Sequence, residues 1–156
     1  LLIAAGAAFM DRVAEAFIGR ESARSEILAL AGASAFAGLG LMLVGASRLG
    51  LPISELPGLH MALMGGLGLG VLAVFSIAGL RHTGQALVFV RRTRIAMLLL
   101  VAAMALRVGP EIWPTEVIPA PPYTLVALLW GAAFLLWLRV YWPFIRDQAT
   151  FQHDGS

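Results

Sequence analysis

The chain has 156 residues, of which 60% are apolar and 13% charged, and its mean hydropathy is +0.86. Soluble globular domains use roughly 45 to 50% apolar residues, so this composition excludes an ordinary water-soluble enzyme and points to one membrane domain of a few spans. The absence of cysteine removes disulfides, thiolate metal sites and iron–sulfur ligation, and the net charge of +2 comes from arginines at the ends of apolar runs, which suit membrane orientation rather than nucleic acid.

In chain order, Leu1 lies inside an apolar run that extends to Met10, with no initiator Met and no basic region ahead of it, unlike a signal peptide. The expectation is that the chain is the tail of a longer protein or lacks its beginning. Residues 1–18 would then be the last part of a span that meets water at Asp11, Arg12 and Glu15. Residues 27–46 form the next span, with Ser34 and Gly38 one helical turn apart, and residues 59–80 follow. Residues 93–109 stand at the lower length limit for crossing a bilayer. A last span over residues 122–142 starts at Pro122, where a missing N–H costs nothing, and stops at Pro143. The fold class expected is all-α: a polytopic transmembrane helical bundle of four full spans plus the end of a fifth at the N-terminus. Residues 1–146 make its single membrane domain and residues 147–156, with His153, a polar cytoplasmic tail.

Basic residues near span ends set orientation. With the C-terminus cytoplasmic, the inside positions hold Arg12, Arg20, Arg24, Arg81, Arg91, Arg92, Arg94, Arg139 and Arg146, and the outside only Arg48 and Arg107. The bias of nine to two favours this topology, with His60 outside and His82 inside. Residues 109–122 then form an external loop whose five prolines make it a stiff cap. Trp113, Tyr123, Tyr141 and Trp142 fall where an interfacial aromatic belt would.

The segment from His60 to His82 carries an imidazole at each mouth. At a helical rise of ~1.5 Å per residue the two rings are about 33 Å apart, one hydrocarbon thickness, so they cannot share a metal or a haem. Between them Gly66 and Gly70 form a GxxxG pair, beside Gly65 and Gly68, that lets another backbone approach closely. A flat porphyrin ring would also fit such a surface. His60 has Met61 beside it and Met64 at i+4, a donor set able to hold copper(I) with help from another helix; the plainer reading of His60 is an interfacial ring that reaches water. Arg81-His82-Thr83-Gly84 reads locally as a helix end. Arg107 lies inside a span, where an ionisable group is a functional candidate, although snorkelling toward Glu111 one turn on also explains it.

The stretch from His60 to Arg81-His82-Thr83-Gly84-Gln85-Ala86-Leu87 resembles the C-terminal part of the NnrS family of bacterial membrane proteins, in which a His-Thr-Gly-Arg-type motif closes the corresponding span. The resemblance continues through Ala105-Leu106-Arg107-Val108, Leu129-Trp130 to Phe134 and Trp137, and Arg139 to Pro143. It covers about residues 58–143 and only weakly the first 56. The family's chain is considerably longer.

The resemblance implies a polytopic protein of the bacterial inner membrane that binds haem, of b type, and copper, and is associated with nitric oxide metabolism, denitrification or nitrosative stress. It makes His60 and His82 the leading ligand candidates; beside it, the i, i+4 spacing offers Met64 as a second copper donor with His60, and the place of Arg107 in its span offers a partner for a haem propionate, as Arg81 would be at the other mouth. Arg81 stands where the family commonly has a small residue, and Gln85 where it has Arg, so Arg81 would replace the missing cation.

No catalytic constellation or phosphate loop is visible, and an enzymatic role would need the redox chemistry of a cofactor. Two other readings stand beside the first. One is an accessory transmembrane subunit of a respiratory or photosynthetic complex, without its own cofactor; the other is a transporter fragment whose two His and Arg107 line a pathway. In every case the partners are the bilayer and neighbouring transmembrane helices, including any missing N-terminal part of the same protein or a larger membrane complex.

Overall fold

A computed structural model describes residues 1–18, 23–113 and 123–151, all of whose regular structure is helical. The helices are α1 (Leu2–Ala16), α2 (Ser25–Arg48), α3 (Leu56–His82), α4 (Arg91–Ile112) and α5 (Tyr123–Phe151). Helices α2 to α5 are each long and apolar enough to cross a membrane, and many of their large apolar side chains face outward, among them Leu63, Leu67, Val74, Leu98, Leu128 and Leu135. In lipid those faces are solvated by acyl chains, so their exposure costs nothing. Arg20 and Glu21, the proline-rich segment over residues 114–122 and the tail residue His153 lie outside the described residues.

Consecutive helices pack on one another and α5 also reaches the second half of α3, which puts α3 at the centre. The two sides of α3 are built differently. Toward α2 the seam is backbone on backbone: a Cβ added to Gly40 would sit 2.5 Å from the Gly58 carbonyl oxygen, and one added to Gly66 would sit 2.8 Å from Ala37 Cβ. Gly65 meets Phe36, and Gly6 of α1 approaches Gly38 of α2 in the same manner. Between helices in lipid there is little hydrophobic drive, so close contact of this kind supplies the dispersion attraction that holds them. The glycine-rich face of α3 is therefore a helix-packing face, occupied by α2.

Toward α4 and α5 the seam is made of large side chains. Leu72, Phe89, Leu100 and Tyr141 are buried there, and Trp130, Phe134, Trp137 and Tyr141 form a stripe along α5 at helical spacing. Trp137 stacks on Tyr141 with ring centres 5.1 Å apart. The hydroxyls in this apolar interior have partners: Trp137 Nε1–H donates to Ser76 Oγ at 2.9 Å, Ser76 donates to the Leu72 carbonyl at 2.6 Å, and Thr93 Oγ1 is 3.4 Å from the Tyr141 hydroxyl. Tyr141 thus belongs to the core, at 2% exposed, and not to an interfacial belt, whereas Trp113, Tyr123 and Trp142 are exposed.

Three local features depart from the sequence reading. Residues Met61–Gly68 form a π-helical stretch, with i to i+5 hydrogen bonding, inside α3. Helix α4 does not stop at residue 109 but runs through Pro110 to Ile112. Pro110 lacks an N–H near the helix end, and the turn closes by Trp113 N–H donating to the Gly109 carbonyl at 3.0 Å. Helix α5 likewise continues past Pro143, because Tyr141 is buried and its ring contacts Phe144 beyond the proline, which outweighs one lost backbone bond.

Candidate functional site: the two mouths of helix α3

At the end of α3 that bears His60, the chain enters the helix through Glu55, with Pro57 in the first turn, and Gly58 is pressed against Gly40 of α2. Arg48 at the end of α2 donates two hydrogen bonds to the Glu55 carboxylate, at 2.9 and 3.0 Å, while Ser47 Oγ donates to the Ile53 carbonyl at 2.7 Å. The hydrogen bond from Arg48 holds the Glu55 carboxyl below its ordinary pKa. This turn fixes where His60 stands. Its ring is half-buried, and Nδ1 lies 3.4 Å from Oε2 of Glu111 on α4. The other carboxylate oxygen, Oε1, accepts a hydrogen bond from Arg107, one turn back on α4, and the Arg107 guanidinium sits 5.0 Å above the Tyr123 ring of α5. Three helices therefore meet in one cluster: His60, Glu111, Arg107 and the face of Tyr123. The sequence reading placed His60 and Arg107 on the same side and offered two partners for Arg107, a haem propionate or Glu111 one turn on; the structure has the contact with Glu111. The link from Glu111 to His60 was hidden because α4 was expected to end before Glu111.

Met64 is half-buried in the π-helical stretch.

The opposite end of α3 is a cap. Gly84 adopts a left-handed backbone with φ +66°. Its N–H donates to the Arg81 carbonyl at 3.2 Å, and the Gln85 N–H donates to the Leu80 carbonyl at 2.9 Å, the pair of bonds that defines a Schellman ending. Thr83 Oγ1 adds a third by donating to the Gly79 carbonyl at 2.7 Å. The helix-end reading of His82-Thr83-Gly84 is thus the local geometry. Arg81 and His82 are both exposed and border an open depression of about 600 Å³ whose other walls are Leu30, Val74, Ile77 and Ala78.

Beside this cap lies a buried carboxylate that the sequence reading missed. Glu26, in the first turn of α2 and 5% exposed, accepts the Phe89 N–H at 3.3 Å and stands 3.8 Å from Arg24 Nε. Arg24 also donates to the Leu87 carbonyl at 2.9 Å, and Arg94 to the Phe89 carbonyl at 3.0 Å, so the connection from α3 to α4 is tied down at several points. An acid directly after Arg24-Ser25 at a helix start was the available signal.

Among the described residues no three His, Cys, Asp or Glu side chains converge as a metal would require. The helices and their lipid-facing surfaces define a multi-pass membrane protein. Within that class the chain belongs to the NnrS family: the family's model, described as NnrS protein, matches residues 1–148, including the first 56 residues in which the motifs are weak. No curated protein and no solved structure matches the chain.

Proposed function

We propose that this chain serves a haem- and copper-binding protein of the bacterial inner membrane that handles nitric oxide or protects against its adducts. Family membership supports this reading, and the observation that carries it is the His60 imidazole facing a carboxylate through Nδ1. Metal-ligating histidines almost always donate their second ring N–H to a carboxylate, a carbonyl or water, which leaves the other nitrogen a lone pair for the metal. With the His60 proton on Nδ1, Nε2 is that nitrogen. His60 would hold haem iron, or copper together with Met64. His82 would ligate at the other mouth, where apolar walls and Arg81 match a porphyrin edge and its propionate. A bound haem supplies an iron able to take a diatomic ligand; the chain supplies the imidazoles, the orientation and the apolar surroundings.

Nine of the eleven arginines on one side support a cytoplasmic C-terminus. Because the chain has no native cysteine, single cysteines read topology cleanly: Ser54→Cys should react with an impermeant thiol reagent added to spheroplasts, and Gln85→Cys only after lysis.

The cofactor test is a visible spectrum and metal analysis of the protein purified in detergent with its full chain. A b-type Soret band is expected, lost or strongly reduced in His60→Ala or His82→Ala. A colourless preparation, or an unchanged spectrum in both variants, overturns the reading.

A further inference from the structure

We propose that Glu111 and Arg107 form a relay that sets the donor strength of the His60 imidazole, with Glu111 as the positioning residue and Arg107 as its counterweight. The inference rests on the reading of His60 as a cofactor ligand and extends it to residues that this reading does not require.

The geometry has two steps. Glu111 Oε2 faces His60 Nδ1 at 3.4 Å, and Glu111 Oε1 is held by Arg107 from the preceding turn of the same helix. Arg107 is in turn braced over Tyr123. All three charged or polar side chains are largely withdrawn from the surface, with 28%, 20% and 19% of His60, Glu111 and Arg107 exposed, so their fields are weakly screened.

A carboxylate that accepts the Nδ1 hydrogen selects the Nδ1-protonated tautomer and pushes electron density into the ring, which makes Nε2 a stronger donor. Arg107 draws on the same carboxylate from its other oxygen and so moderates that push. Removing the two residues therefore changes the imidazole in opposite directions. Glu111→Gln takes away the negative charge and weakens Nε2 as a donor; Arg107→Gln leaves the carboxylate to act on His60 alone and strengthens it. Residues that served only to pack α4 against α3 would act in the same direction in both variants.

The first measurement needs no cofactor. Nitrogen NMR of ¹⁵N-histidine-labelled whole protein in detergent should show His60 as the Nδ1-protonated tautomer, shifting to a tautomer mixture in Glu111→Gln and staying Nδ1-protonated in Arg107→Gln. If Glu111→Gln does not fold, Glu111→Asp should move the tautomer ratio the same way by a smaller amount. The second measurement is the haem reduction potential, expected to rise in Glu111→Gln and fall in Arg107→Gln. An unchanged His60 tautomer on loss of the carboxylate, or potentials that move in the same direction, overturns the relay. Failure of the underlying reading shows separately, as cofactor content indifferent to His60→Ala.

Discussion

The two ends of α3 carry the same residue type in different settings. At one mouth the His60 ring is half-buried and faced by a carboxylate from α4, which a cation in turn holds. At the other, His82 is exposed in the last turn of a helix closed by Gly84, Thr83 and backbone hydrogen bonds. The first arrangement spends side-chain contacts from three helices on orienting one imidazole. The second is built from local chain geometry and places its His beside an open apolar depression. Tertiary contacts thus orient the imidazole at His60, whereas the backbone around His82 is set by the chain's own ending.

The sharpest way to break this contrast is to remove Arg107. Replacement by Leu strands the Glu111 carboxylate beside His60 in a poorly hydrated place, and a loss of about 2 kcal/mol is expected, below the roughly 3 to 5 kcal/mol of a wholly buried pair. Thermal unfolding in detergent measures it. The double variant Arg107→Leu/Glu111→Leu should recover part of the loss, because no unpaired charge remains.

The next effect belongs to the cap. Gly84→Val forces a β-branched side chain into a left-handed conformation at φ +66°, at a cost of about 1 to 2 kcal/mol. Gly50, also at positive φ, ends α2 near the opposite face, so the same substitution there compares the two sides directly. Hydrogen exchange should localise the Gly84 effect to the Leu80–Gln85 turn and leave the His60 cluster protected. Thr83→Val is milder: it loses the hydroxyl bond to the Gly79 carbonyl but keeps the shape, for about 0.5 to 1 kcal/mol by the same measurement.

The same contrast explains what was legible in the sequence. Hydropathy and span length sufficed for the all-helical membrane fold because lipid leaves helices as the only single-segment way to satisfy a buried backbone. The Gly84 ending was legible because a left-handed cap is a local property of a few residues. The Arg107–Glu111 pair was legible as an i, i+4 spacing. His60–Glu111 was not, because it joins residues 51 apart in sequence and depends on α4 continuing through a proline that reads as a stop. The burial of Tyr141 and the Trp137–Ser76 bond escaped for the same reason: periodicity shows a face but not which helix covers it. The π-helical stretch at Met61–Gly68 has no signature beyond its glycines, which equally describe the tight seam with α2.

The smallest expected effect separates the mouths by pH. Near His60 the turn into α3 is clipped by Arg48 and Glu55, and the hydrogen bond from Arg48 lowers the Glu55 pKa. A carboxyl whose folded pKa lies below its unfolded value contributes stability above the unfolded value, about 4.3 for Glu, and loses it as pH falls through the folded one. The cap bonds at Thr83 and Gly84 involve hydroxyl and backbone groups that do not titrate in that range. Acidification from pH 6 to 3 should therefore speed hydrogen exchange at Leu56 and Leu59 a few-fold, after correction for intrinsic rates, and leave Gln85 unchanged. The pair is exposed, so salt should shrink the effect. In Glu55→Gln the acid dependence of that turn should vanish. If it persists, the Arg48–Glu55 clip is not the source of that acid sensitivity.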